Sequence, residues 1–276
     1  MNIAVLSGKG GTGKTFVSCN LAATIGNSAY IDCDVEEPNG HLFFKPENVT
    51  ENPVYVKLPQ VIKTKCNQCR TCVDFCRFHA LAFVKDRPML FKGVCHSCGG
   101  CKIVCPENAI IEKNYQIGSI ITGTYKTVIV KSGILNTGEE SGVPIIKELL
   151  RSLPRKTNVI DCPPGSACSV MESIREASFC VIVAEPTVFG IHNFKMVYEL
   201  VKILNKPFGI VINKISSNAN PMEKLCRELN LPVLERIPFD SKIAAQNAAG
   251  NIAYETNDQI KIIFDRLYTK ISEVTK

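Results

Sequence analysis

Residues 8–15 read Gly-Lys-Gly-Gly-Thr-Gly-Lys-Thr, follow the apolar run NIAVLS, and carry the spacing G-x-x-x-x-G-K-T. Glycines at Gly8, Gly10, Gly11 and Gly13 let successive backbone N–H groups turn toward one point, and a helix N-terminus behind them adds positive partial charge. That is a cradle for a chain of phosphates. Lys14 is spaced to reach the β and γ phosphates and the Thr15 hydroxyl to hold Mg²⁺, with Thr12 and Phe16 completing the run around the nucleotide. Lys9 is one lysine more than phosphate binding requires. A second chemistry is written in eight of the fourteen cysteines. Cys66, Cys69, Cys72 and Cys76 form a C-x2-C-x2-C-x3-C run, and Cys95, Cys98, Cys101 and Cys105 repeat it, with Pro106 following. Four evenly spaced thiolates, given twice, suit iron–sulfur ligation, while tetrahedral zinc, which also uses C-x2-C pairs, is the competing metal.

To aim the phosphate loop, a strand must precede it and a helix must follow. Short β-branched runs alternate with helical patterns in the first fifty residues and again in the last hundred and fifty. Strands are predicted at NIAVLS, SAYIDCD, KTVIVKS, TNVIDC, SFCVIVAE, PFGIVINK and LPVLERI, each nearly continuous in apolar residues. Helices are predicted over Lys14–Ile25 with Gly26 as the stop, and near Val143–Arg151, Ile191–Leu204, Pro221–Leu229 and Asp258–Glu273. The expected fold class is α/β, a doubly wound, mostly parallel sheet.

From Pro53 to Lys113 this alternation breaks, and the eight clustered cysteines fall inside the break. We therefore expect residues 1–52 and 116–276 to form one phosphate-binding domain, interrupted at 53–115 by a small α+β insert. The pattern of the insert resembles the bacterial two-cluster ferredoxins, in which the fourth thiolate of each 4Fe-4S cluster comes from the other run. The resemblance implies one cluster on Cys66, Cys69, Cys72 and Cys105, and the other on Cys95, Cys98, Cys101 and Cys76. Arg77 departs from it, standing where proline usually follows the first run, and HALAF and ENAII look like its matching strand-forming halves.

Composition narrows the class. With 45% hydrophobic and 21% charged residues the chain reads as an ordinary globular protein. No apolar run reaches the roughly 18 residues of a membrane helix, and the start shows neither a basic region nor a cleavage site, so a cytoplasmic location is expected. The formal charge is +6. Two clusters with four thiolates each would add about −2 apiece, leaving about +2, so net charge alone makes no case for nucleic acid.

The loop GKGGTGKT resembles the deviant Walker A of the MinD/ParA/Mrp superfamily, to which the nitrogenase iron protein is also related. In that family the extra lysine, here Lys9, crosses a dimer interface to the partner's nucleotide. The resemblance further implies that Asp34 positions or activates the attacking water, that Asp32 lies near the Mg²⁺ shell, and that Asp161 is the Walker B acid holding a Mg²⁺-bound water. It places Pro164 and Gly165 in the γ-phosphate switch, Asn213 at the adenine edge, and Ile237, Pro238, Phe239 and Asp240 beside the base. Cys168, seven residues beyond Asp161, matches a cluster ligand of the nitrogenase iron protein; VKSGILNTGEE lacks the second, so a bridging cluster would need Cys162.

Expected ligands are thus ATP or ADP, Mg²⁺ and two 4Fe-4S clusters. Expected partners are a second copy or a paralogue in an ATP-dependent dimer, and a redox protein or an apo-metalloprotein, without nucleic acid. The expected activity is ATP hydrolysis coupled to electron transfer or metallocofactor maturation. An iron–sulfur carrier of the Mrp/ApbC kind, or a ParA-like positioning switch with structural clusters, are the alternatives. The last helix, with Ile260, Ile263, Phe264, Leu267 and Ile271 at helical spacing and mixed charges opposite, reads as core rather than as a membrane anchor.

Overall fold

A computed structural model of the chain describes residues 1–216 and 221–275. The first part runs β1 (Asn2–Leu6), α1 (Lys14–Ile25), β2 (Ala29–Asp32), α2 (Gly40–Phe44) and β3 (Glu47–Val61). The cysteine-rich part follows as α3 (Thr71–Phe75), β4 (Leu81–Val84), β5 (Arg87–Leu90), α4 (Gly100–Ile103) and β6 (Ile110–Tyr125). Next come β7 (Val128–Leu135), α5 (Val143–Arg151), β8 (Asn158–Asp161), α6 (Cys168–Ile174), β9 (Phe179–Ala184) and α7 (Val188–Ile203). The chain closes with β10 (Phe208–Ile215), α8 (Pro221–Glu228), β11 (Val233–Pro238), α9 (Ser241–Ala248), α10 (Ala253–Thr256) and α11 (Asp258–Val274).

Nine strands form one sheet in the order β11-β10-β9-β1-β8-β2-β7-β6-β3. From β11 to β7 every neighbouring pair is parallel; β6 and β3 are added antiparallel. All seven predicted strands are present. Because side chains alternate across a strand, each parallel strand feeds two cores. In β9, Cys180, Ile182 and Ala184 join the layer under α5, α6 and α7, while Phe179, Val181 and Val183 join the layer under α1 and α11. Phe16 of α1 meets Phe264 of α11 edge-on, ring centroids 5.9 Å apart, and Ile260, Ile263, Leu267 and Ile271 are buried beside them, so α11 is core as expected.

Helix α1 ends where Gly26, at φ +71°, turns the chain and its N–H bonds Ala22 O. Helix α7 starts three residues earlier than expected because Thr187 caps it, its hydroxyl accepting from Gly190 N at 2.9 Å. The larger difference is the pair β3 and β6, absent from the expected strands. β3 contains Pro53 and Pro59, which a central strand excludes, yet β3 is the sheet's outermost strand and its free edge needs no donor there. The pair runs from Glu47↔Thr124 to Val61↔Ile110, with register shifts between Glu47 and Thr50 and between Val54 and Tyr55, so the limits 53 and 115 both lie within strands.

Beyond this pair the chain folds as a two-fold repeat with an offset of 29 residues. Ile62 N bonds Ala109 O as Phe91 N bonds Ala80 O. Left-handed φ angles recur at Gln68 and Ser97, at Arg70 and Gly99, and at His79 and Asn108. Ala80 and Ala109 are buried, as are Leu81 and Ile110, so HALAF and ENAII do correspond. They end in different sheets: Leu81 pairs with Leu90 in the small hairpin, whereas Ile110 opens the long β6.

Candidate functional site

The phosphate loop leaves β1 at the centre of the sheet, at the carboxyl ends of the parallel strands and between two neighbours reached from opposite directions. Ligands of open α/β sheets bind in such a crevice. Two of its glycines are required by contact: a Cβ on Gly8 would fall 2.0 Å from Asn193 O, and one on Gly13, at φ +94°, 2.1 Å from Asn213 Nδ2. The loop is braced from within by hydrogen bonds from Ser7 Oγ and Thr12 Oγ1 to Lys9 O, at 2.9 and 2.8 Å.

A cleft of about 400 Å³ opens over this loop. Lys9, Gly10, Gly11, Gly13, Lys14, Thr15 and Phe16 form its floor, and Asp34, Pro164, Asn213 and residues 237–240 line its walls. The expected phosphate, water and base residues are thus gathered round one space. Gly8, Thr12, Asp32 and Asp161 lie behind this lining, the last two buried. Asn213 donates from Nδ2 to Thr12 O at 2.8 Å, and Asp240 caps α9 through Lys242 N and Ile243 N.

Charge at the cleft is balanced internally. Lys14 Nζ sits 2.8 Å from Asp161 Oδ1 and 3.8 Å from Asp34 Oδ2. Burial alone would lower its pKa, but Asp161, with Asp34 and Asp32 behind it, holds it above the ordinary lysine value. Asp34 is pushed up to about 6, chiefly by burial, with Lys14 opposing. Asp32 is raised well above the carboxylate range by burial and by the nearby Asp161, although it accepts from Gly40 N at 2.9 Å and Asp34 N at 3.1 Å.

Three participants escaped sequence reasoning. The fully buried Tyr30 donates to Asp161 Oδ2 at 2.8 Å and stands 3.3 Å from Asp32 Oδ2, joining two strand ends. Its signal was available, since Tyr30 and Asp32 are two apart in one strand and share a face. Glu185 bonds Lys9 Nζ and Lys214 Nζ, both at 2.8 Å, and Lys214 also donates to Gly11 O at 2.5 Å. Burial raises Glu185, but those lysine bonds prevail and hold it below the usual range. Lys9 Nζ also lies 5.4 Å from the centroid of Phe189, which with Val188 is exposed.

The eight clustered cysteines separate into two sets. Cys66, Cys69, Cys72 and Cys105 line one pocket with Asn67, Arg70 and Glu107. Cys76, Cys95, Cys98 and Cys101 line another, of about 250 Å³, with Phe75, Arg77, Phe78 and His96. Each set takes three thiols from one run and one from the other. Among the described residues, no three His, Cys, Asp or Glu side chains converge as ligands of a single ion. Cys162 and Cys33 are fully buried and burial pushes both thiols up, so neither reaches the surface where a bridging cluster would sit; Cys168, at the start of α6, is exposed.

One loop touches both regions. After β7, residues 136–142 pass over Val35, the neighbour of Asp34: Leu135 N bonds Val35 O at 2.9 Å, and a Cβ on Gly142 would fall 2.2 Å from Val35 Cγ2. The same loop accepts from Tyr115 Oη on Glu139 Oε1 at 2.7 Å, and Glu140 Oε1 lies 2.1 Å from where a Cβ of Gly93 would be, two residues before Cys95.

Comparison with known proteins places this geometry in company. The CobQ/CobB/MinD/ParA nucleotide binding domain matches residues 3–252. An uncharacterized protein of Methanocaldococcus jannaschii is 28% identical over 99% of this chain and 97% of its own. An iron–sulfur cluster carrier protein of the same organism is 23% identical over 98% of this chain and 84% of its own. Among solved structures, the septum site-determining protein MinD complexed with Mg-ADP from Pyrococcus horikoshii aligns over 100% of this chain and 98% of its own, with TM-score 0.62 and 18% identity. That likeness is one of fold. No described helix is long and apolar enough to cross a membrane.

Proposed function

The chain belongs to the CobQ/CobB/MinD/ParA nucleotide-binding family, and from that premise we propose a Mg²⁺-dependent ATPase whose nucleotide cycle is coupled to two 4Fe-4S clusters held within residues 53–115. The observation that carries the coupling is the loop 136–142, which packs on Val35 beside Asp34 and reaches Tyr115 of β6 and Gly93, two residues before Cys95.

At the nucleotide cleft, Lys14 is a cation already paired to Asp161 and near Asp34. A triphosphate in the loop gives Lys14 a stronger anionic partner, and its move to the phosphates frees both carboxylates. Asp161 and Thr15 are then available to hold Mg²⁺, whose charge when bound offsets that on the β–γ bridge. Asp34, the more exposed carboxylate, orients the attacking water. Lys9 is held on Glu185 in the single chain; the resemblance to the deviant Walker A gives it a second position, on the nucleotide of a partner copy. The exposed Val188 and Phe189 next to it supply an apolar margin for such a dimer.

The donor set in the insert fits a pair of clusters. A cube asks for four thiolates round a cavity rather than converging on one point. The Cys76, Cys95, Cys98 and Cys101 set lines a cavity of about 250 Å³, while the Cys66, Cys69, Cys72 and Cys105 set closes on only about 10 Å³. Bound clusters would supply one-electron storage; the chain supplies the thiolates, the left-handed turns that wrap them and an apolar wall. The carrier reading is favoured by one observation, the full-length similarity to an iron–sulfur cluster carrier protein. It predicts that a cluster leaves for an apo-protein.

The test is an anaerobic redox titration followed by EPR, with and without MgATP. We expect two cluster signals, at least one of them shifted by nucleotide. Signals indifferent to nucleotide would sink the coupling, and full transfer of iron to an apo-ferredoxin acceptor would replace it with the carrier reading.

A further inference from the structure

Residues 53–115 hold ten Lys and Arg against four Asp and Glu, a net charge of +6. That equals the net charge of the whole chain, so everything outside the insert is neutral, with twenty-two charges of each sign. Two bound clusters at about −2 each still leave the insert positive, at about +2. Among the described residues, only Lys102 of these ten cations has a carboxylate at salt-bridge distance, Glu112 at 3.1 Å. The basic charge is therefore largely unspent within the fold.

The 29-residue repeat shows where it is aimed. Around the Cys66 pocket the corresponding positions are Asn67, Pro106 and Glu107; around the Cys95 pocket they are His96, Arg77 and Phe78. Each pocket has a guanidinium on its rim, Arg70 at one and Arg77 at the other; the Cys66 pocket adds the Glu107 carboxylate, whereas the Cys95 pocket adds aromatic rings and no carboxylate. Phe78 stacks on His96 at 3.8 Å yet remains 44% exposed, Phe75 is 50% exposed and Ile103 83%. Arg77 and the exposed Phe78 line this pocket, and two further cations stand next to exposed apolar residues in the segments flanking its cysteines: Lys102, paired to Glu112, beside Ile103, and Lys92, over the Tyr115 ring, beside Phe91. Apolar centres with an Arg and Lys margin are the composition of a protein-docking face, and the charge selects an acidic partner. A nucleic acid would be met by cations tracking a backbone, with little use for Ile103.

We propose that the face over Cys76, Cys95, Cys98 and Cys101 docks a small acidic electron-transfer protein. This rests on the cluster reading, because only a redox centre beneath the face makes an electron carrier the fitting acidic partner. Iron and acid-labile sulfide are measured first on the anaerobically purified chain. Calorimetric titration with a strongly acidic flavodoxin then follows, at about 50 and about 500 mM NaCl. We expect binding that weakens about tenfold or more with salt, and about tenfold again in Arg77→Glu and, independently, in Ile103→Asp, with iron content and ATP turnover kept. No binding, binding as tight as that of the wild type in either variant, or preference for double-stranded DNA or phosphatidylglycerol vesicles used as polyanion controls would overturn the proposal. Iron near zero with salt-sensitive binding retained would remove the clusters and keep the face, although the electron-carrier identity would fall with them. Iron at full content without charge-dependent binding would do the reverse.

Discussion

The nucleotide sheet and the cysteine insert are held together by different physics. In the sheet, β1, β2, β8 and β9 are buried almost throughout, and two broad apolar layers close its faces. In the insert the buried cluster is small, Cys72, Leu81 and Ile110 with half-buried neighbours such as Val61 and Leu90, and Ala80 and Ala109 are buried besides. Of the thirteen non-glycine residues with left-handed φ among the described residues, seven lie between Gln68 and Asn108. Such positions cost about 1–3 kcal/mol each and persist only where the surroundings impose them. A core this small gives little to impose seven of them. The contrast teaches that apolar burial specifies the first region, whereas the second leaves a deficit that metal–thiolate bonds are suited to fill.

The largest effect expected from this contrast is on the insert. Removing iron with a chelator under reducing conditions should raise amide exchange at Cys72, Leu81 and Ala109 about a hundredfold or more and leave β1, β8 and β9 protected. Uniform protection in both regions, read by mass spectrometry, would break the comparison. Working from the other side, Lys14→Ala should lower ATP turnover about a thousandfold while iron content stays unchanged. Loss of iron in that variant would show that the regions fold as one unit.

Asp34→Asn should lower turnover about a hundredfold and also change its pH profile. Because the Asp34 carboxyl titrates near 6, wild-type turnover should climb about tenfold per unit below pH 6 and level off above it. A steady-state profile of the Asn variant that keeps this slope would assign the titration elsewhere. Glu139→Ala and Tyr115→Phe, at the join between the regions, should change turnover less than about twofold. They should nevertheless abolish any effect of MgATP on the EPR spectrum, and an effect that survives both changes would remove the loop from the coupling.

The smallest effect is on stability without nucleotide. Asp32 has a folded pKa above its unfolded one, so its contribution is full at acid pH and is lost as pH rises through the folded value. Between pH 5 and pH 8 the thermal midpoint of the wild type should therefore fall relative to that of Asp32→Asn. Parallel curves from the two proteins would mean that Asp32 is already ionised at pH 5.

What could be read in advance divides along the same line. Strong local signals carried the parallel strands and α1, whose limits Lys14 and Ile25 are set by Gly13 and Gly26. The resemblance to two-cluster ferredoxins implied a grouping of three thiols from one run with one from the other, and the same two sets line the two pockets. β3 and β6 were hidden because Pro53 and Pro59 argue against a strand unless its edge is known to be free, and neighbours in the sheet are a tertiary fact. Glu185 and Lys214 were hidden for a related reason. Their meeting at the loop joins the ends of β9 and β10, and neither residue has a motif of its own.

The long pairing of β3 with β6, shifted in register at two places, has a topological consequence. Val61 and Ile110 face each other across one ladder, at a separation a two-residue turn can span. Everything between them therefore hangs from the tip of a hairpin. Replacing residues 62–109 with Asn-Gly would heal the cut and leave a plain edge hairpin on the sheet. The ladder would keep every pairing it has, since none of residues 62–109 takes part in it.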